Sequence, residues 1–341
     1  MSTALKTPSF VSSASPAALD ASLNLQRKAA LVAGGAVDHT GRVRIAPMEG
    51  FDLGRTIFGS IEGTLQRLVM HDKLATEPFW SDAAVSDIEA AYEASEAEAP
   101  TPAVDPALIA FMEAECDFSM EHADGTFLEH LVFCHDYAAR HFPGHSPKVA
   151  LLHSILGTGT NTFAMGVEKL PRLREHLTET EALQIEAFPS LVRLFYNQEL
   201  LPELTANLHR LGDLEALHCH RVIDNAPLVL DAESLWVQLN YQLMHFVDFM
   251  PAANWGARRG DPLMMQFEQL STFLDRAGQR RAKVEVRFPE ASARPVGERA
   301  TWVGSIANLL PSSVTLRMAR KTIRAYSAQI GHSLDYRLEW R

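Results

Sequence analysis

From Pro106 to about Phe249 the apolar positions return with the 3.6-residue period of amphipathic helices, in DPALIAFMEAECDFSM, TFLEHLVFCHDYAARHF, VALLHSIL, ALQIEAFPSLVRLFYNQELLPELTANLHRL and AESLWVQLNYQLMHFVDFM. No stretch there alternates convincingly as a strand, so the block is expected to be all-α. Upstream, AALDASLNLQRKAALVA reads as a helix, Gly34-Gly35 as a turn, RVRIAPM as a short strand and residues 59–72 as a second helix. SDAAVSDIEAAYEASEAEA reads as an acidic, solvated helix, and APTPAVDP after it as a linker. Downstream of Pro251 the pattern gives one more helix at residues 264–277 and a candidate strand, KVEVRF. The expected organisation is a flexible arm at 1–18, an N-terminal helical extension at 19–105, an all-α core at 106–250 and a C-terminal extension at 251–341. The fold class expected is mainly α.

Composition narrows the classes of function. The chain has 341 residues, 47% of them hydrophobic, enough to bury a sizeable core without covalent staples. Its formal charge of −11 repels phosphate backbones, so nucleic acid is not an expected partner. The charge is uneven: residues 281–341 hold eleven Lys and Arg against five Asp and Glu, whereas residues 74–139 hold fifteen acids and no Lys or Arg. The basic end is expected to pack on the acidic part. Three cysteines, Cys116, Cys134 and Cys219, have no metal-type spacing and imply no disulfide framework, which fits a reducing, cytoplasmic setting. No window approaches eighteen uninterrupted apolar residues, so a membrane span is not expected. The Ser-, Thr- and Pro-rich start has no charged n-region with an apolar h-region, although the lack of acids before Asp20 leaves room for an organelle-type leader. GGAVDHTG does not keep the glycine spacing of a dinucleotide-binding loop.

Histidine carries the chemical signal. Six of fourteen, His122, His130, His135, His141, His145 and His153, fall within 32 residues. Neutral imidazole is the commonest protein ligand for first-row metals, and it is also an ordinary titratable surface group. At about 100° per residue, His130, Cys134, Tyr137 and His141 share an arc of about 60°, while His135 lies about 140° from His130. His130 and His135 therefore do not serve one mononuclear centre, and His135-Asp136 is expected on a face that Arg140 shares with solvent. His153 ends the apolar run Val149-Ala150-Leu151-Leu152, where a ring must find a hydrogen bond or a metal. A core histidine satisfied by a backbone carbonyl or by Ser154 is the plain alternative. On the late helix His245 and Asp248 are i, i+3 neighbours, with the solvated helix end as their plain reading. His218-Cys219-His220 would aim two rings the same way only if the segment were extended.

A helix carrying Leu128-Glu129-His130, then Leu151-Leu152-His153-Ser154, resembles the first two signature elements of the HD-domain superfamily, an all-α metal-binding fold. The resemblance covers about residues 118–250 and is nearer to a subgroup reading L-x-x-H-L then H-S-x-x-G-T. Its second element is matched by His153-Ser154-Ile155-Leu156-Gly157-Thr158; in the first, Phe127 stands in place of the opening Leu. What the resemblance implies is an HD-like helical bundle with His130, His153 and Asp248 as metal ligands. Ser154 stands where the superfamily carries a bridging Asp, and a neutral hydroxyl is a poor ligand for a hard ion. That argues against a two-metal centre and leaves a mononuclear one completed by His122, His245 or Asp248.

Proteins of this family hydrolyse phosphate esters or, in a smaller branch, carry out iron-dependent oxidation of small polar molecules. Phosphate chemistry wants cations, and the stretch around His130 has none unless Lys148, Arg172 or Arg174 enters the site. The expectation is a metalloenzyme acting on a small organic substrate by oxidation or hydrolysis, with a divalent metal such as iron. His122 or His245 would be an extra ligand or general base, and Ser154 or Thr158 would orient substrate or water. The alternative is a metal-free HD-like binding or scaffolding protein. A homo-oligomer is compatible with either.

Overall fold

The computed structural model describes residues 23, 25–34, 63–64, 82–118, 121–122, 125–252, 262–284 and 310–341. The fold is mainly α. In chain order the helices are α1 (Leu25–Ala33), α2 (Asp82–Glu98), α3 (Pro106–Glu115), α4 (Phe127–His141), α5 (Pro147–Leu152), α6 (Leu170–Arg174), α7 (Glu179–Asn197), α8 (Leu200–Ala206), α9 (Ala232–Ala252), α10 (Pro262–Arg276) and α11 (Ser312–Gln329). The strands are β1 (Glu121–His122), β2 (Gly125–Thr126), β3 (Leu214–His220), β4 (Pro227–Asp231) and β5 (Arg337–Trp340). The acidic helix falls where its pattern put it, at α2. The expected strand at 42–48 and most of the expected helix at 59–72 lie outside the described residues.

Local chemistry sets the helix starts. Thr126 and Glu129 form a reciprocal capping box on α4, Thr178 and Glu181 do the same on α7, and Asp105 caps α3 ahead of Pro106. Each box satisfies amides that the first helical turn leaves without partners. The core is built where α4, α5, α7 and α9 pack on one another, and α1 closes it by lying on α4 and α9. Leu131, Leu151, Ile155, Leu191, Leu239 and Leu243 are among its fully buried side chains. The C-terminal part adds to this body: α10 packs on α9, and α11 packs on α7.

The block expected to be all helical contains four strands, β1 and β2 in a short antiparallel pair and β3 and β4 in a larger sheet. β3 pairs with β4 antiparallel (Leu217 opposite Leu230) and with β5 antiparallel (Leu217 opposite Leu338), in the order β4-β3-β5. A register shift between Leu214 and Ala216 breaks the alternation of β3, which buries Ala216 and Leu217 in succession. A bulge of this kind hides the period-two signal. The partner β5 is more than a hundred residues away and was not anticipated. The candidate strand KVEVRF lies largely outside the described residues, and its first two, Lys283 and Val284, are not in a strand. Among the described residues no helix is long and apolar enough to cross a membrane.

Candidate metal centre

Four helices and one helix end converge on His130. The capping box fixes the start of α4, one turn before His130, and the ring is fully buried. His153 is the C-cap of α5, with helical φ −56° and ψ −30°, and is equally enclosed. α9 brings His245 and Asp248, α7 brings Phe188, and α1 brings Arg27. The Phe188 ring stands 4.5 Å from that of His153 and 5.2 Å from that of His245, centroid to centroid, in edge-on contacts that keep water off both.

The hydrogen bonds assign the tautomers. His153 Nδ1 lies 2.6 Å from the Ala150 carbonyl, which can only accept, so Nδ1 carries the proton and Nε2 carries a lone pair. His130 Nδ1 lies 2.7 Å from Asp248 Oδ2. Arg27 donates to the same carboxylate through Nε at 2.7 Å and Nη2 at 3.2 Å. A carboxylate that receives a guanidinium accepts from His130 Nδ1–H as well, which leaves His130 Nε2 with a lone pair too. The two Nε2 atoms are 3.0 Å apart. Two lone pairs facing each other at hydrogen-bond distance in a dry interior repel unless a cation, a proton or a metal ion, sits between them.

Titration favours the neutral rings. Burial, then the neighbouring His153, then Arg27 hold His130 well below the ordinary imidazole value. Burial pushes His153 down to about 4, although its bond to Ala150 and the charge of Asp248 pull the other way. Both rings are therefore held toward the neutral form, which is the form in which imidazole ligates a metal. The spacing suits this: two nitrogens about 2.1 Å from one ion lie about 3 Å apart when they subtend a right angle. Asp248 behind Nδ1 is the carboxylate–histidine arrangement that orients a ligating ring.

The buried group His130, Cys134 and His153 could hold a metal ion. Within it, Cys134 Sγ is 3.8 Å from His130 Nδ1, on the carboxylate side of the ring. Burial first and Asp248 second raise its thiol well above the ordinary value, so it is a neutral thiol facing the supporting shell. His245 lies beside both rings, with its centroid 5.2 Å from that of His130 and 4.7 Å from that of His153, and it is half-buried.

The other expected residues fall as follows. Asp248 lies at Nδ1 of His130 and is held by Arg27, so its contacts are with the ring's outer nitrogen. Ser154 is buried next to His153. The Thr158 hydroxyl accepts from the amides of Thr160 and Thr162 and so organises the loop after His153. His122 is on β1, with its side chain outside the described residues. His135 is buried, not shared with solvent, and pairs with its neighbour Asp136, while Arg140 turns to Glu96 and Ser95 of α2. His218 and His220 do lie on an extended segment, but His218 pairs with Glu339 at the surface and His220 Nδ1 meets the Asp335 carbonyl. Lys148, Arg172 and Arg174 bond to His176, Glu115 and Glu186, away from the pair.

Arg27 is the residue that sequence reasoning missed. It sits on a stripe with Leu23, Ala30 and Leu31, all buried, and a cation at helical spacing inside an apolar stripe was the available signal. Nothing in the sequence pointed to Asp248 as its partner. Comparison with known proteins adds nothing to this geometry: no family model, no curated protein and no solved structure matches the chain.

Proposed function

We propose that the protein is a metal-dependent enzyme acting on a small organic substrate, with one divalent ion held by His130 Nε2 and His153 Nε2 and with His245 as the third imidazole. The observation that carries this reading is the pair of buried Nε2 lone pairs 3.0 Å apart, each fixed by a bond at the opposite nitrogen. When bound, such an ion supplies Lewis-acid or oxygen-activating chemistry, and imidazole donors suit iron as well as zinc. The chain's own residues set the conditions. Asp248 orients His130 and raises its basicity, the Ala150 carbonyl fixes His153, and Phe188 excludes water. His245 is the only one of these three histidines that is not fully enclosed, so substrate would approach on its side. The resemblance to HD proteins favours oxidation or hydrolysis of a small polar molecule. The three free thiols suit a reducing, cytoplasmic setting.

Elemental analysis tests the reading. Full-length protein produced with iron, manganese or zinc should carry about one ion per chain, and His153→Ala should lose metal and turnover together. Substoichiometric metal whatever is supplied would overturn it in favour of a second reading, a metal-free helical binding protein. One observation supports that second reading. Arg27, Asp248, His130, His153 and the Ala150 carbonyl form a continuous hydrogen-bond chain that a single proton between the two Nε2 atoms would complete.

A further inference from the structure

Three arginines are buried among the described residues, and two of them meet carboxylates: Arg27 meets Asp248, and Arg221 meets Glu186 and Asp224. Arg193 on α7 does not. Its exposure is 0%, and every acceptor around it is neutral. Nε and Nη2 donate to the Thr158 carbonyl at 3.2 and 2.8 Å, Nη2 also donates to Asn161 Oδ1 at 2.7 Å, and Nη1 donates to Ser327 Oγ at 3.3 Å. A guanidinium has five N–H donors. One donor on Nη1 finds no acceptor among the described residues. An enclosed charge without a counter-charge costs several kcal/mol, which neutral hydrogen bonds recover only in part.

The surroundings are built to receive negative charge. Thr158, Gly159, Thr160 and Asn161, the loop beside the guanidinium, are half-buried. Gly157 at φ +134° and Asn161 at φ +59° bend this loop, and the amides of Gly159 and Asn161 have no acceptor among the described residues. On the inner side His332 Nε2–H donates to the His220 carbonyl, so Nδ1 is left to accept the Ser327 hydroxyl. Burial first, with the charge of Arg193 adding to it, pushes His332 down to about 4 although its bond to the His220 carbonyl pulls the other way, so the ring contributes no second cation. Burial alone lowers Arg193 to about 9, with no acidic group acting on it. The loop leads directly from His153, and Arg193 follows Phe188 by five residues, about 7.5 Å of helical rise.

We propose that Arg193 and the Gly157–Asn161 loop form a binding site for a small oxyanion, a carboxylate or phosphate group, one loop away from the histidine pair. The open N–H on Nη1 can donate to one oxygen of either group. The bound anion supplies the missing counter-charge and takes up the open Nη1 donor. This inference does not depend on whether His130 and His153 hold metal.

The experiment is calorimetric titration of the full chain with inorganic phosphate and, separately, acetate, each at an ionic strength held constant with chloride. Saturable binding of either is expected, and which one binds more tightly separates a phosphate from a carboxylate ligand. Asn161→Asp places a carboxylate where Oδ1 already lies 2.7 Å from Arg193, and it should weaken binding at least tenfold. Arg193→Lys keeps the charge but loses the Nη1 donor, and it should weaken binding as well. The chelator-treated chain should bind the anion as the untreated chain does, which separates this site from phosphate captured by a metal. Absence of saturable binding in the wild type would overturn the proposal, as would undiminished binding by both Asn161→Asp and Arg193→Lys, or loss of binding on chelator treatment.

Discussion

Replacing Asp248 by Asn keeps the shape of the side chain and removes its charge from a buried pair with Arg27. The carboxylate and the Arg27 guanidinium are 1% and 3% exposed. Three hydrogen bonds to charged groups end on Asp248, two from Arg27 and one from His130. An amide oxygen can still accept some of them, but the buried Arg27 guanidinium loses the carboxylate it is paired with. Removing one partner of such a pair costs about 3–5 kcal/mol. At about 1.4 kcal/mol per tenfold change, the folding equilibrium shifts by roughly two to three and a half orders of magnitude. Urea unfolding of the chelator-treated chain reads this as a lower midpoint at unchanged slope. The double replacement Arg27→Met with Asp248→Leu removes both charges and should be more stable than either single replacement, because no uncompensated charge remains. Metal affinity, where metal is bound, should fall by about 10–100-fold in Asp248→Asn through loss of ring orientation. A stability of Asp248→Asn within about 0.5 kcal/mol of wild type, the range of an ordinary surface change, would refute the argument. So would a double variant as destabilised as the two single changes added together.

Further outcomes follow from the same geometry. Cys134→Ala should leave the metal-to-protein ratio unchanged, since the thiol lies on the carboxylate side of His130; loss of metal would place the thiol among the ligands. Gly157→Ala should cost about 1–3 kcal/mol in urea unfolding, because a Cβ at φ +134° would stand 3.0 Å from Phe163 and 3.2 Å from Val222; a neutral result would show that the loop yields. His332 is held down to about 4 in the folded state against an ordinary value near 6.5, so the unfolded chain binds more protons between those limits. Stability from this group is present above about pH 6.5 and is lost as the pH falls toward 4. His332→Asn should flatten that part of the stability curve, and an unchanged slope would count against a buried neutral ring.

Much of the core and part of the site could be read from the chain alone. The 3.6-residue period of Leu128, Leu131, Cys134 and Ala138, and the Thr-x-x-Glu boxes at 126 and 178, are local, so they specify α4 and α7 whatever surrounds them. The same locality marked His130 on a buried face and His153 at the end of an apolar run. Tertiary structure decided the rest, because it depends on how the helices cross. The approach of two Nε2 atoms across 23 residues, the reach of Asp248 across 118 and the entry of Arg27 across 221 follow from packing angles that no short window encodes. β3 became a strand because β4 and β5 lie beside it, overriding a sequence whose bulge erased the alternation. Arg193 was one cation among many in the sequence. Its isolation from every carboxylate came into being only when α7, the loop after His153 and α11 closed around it.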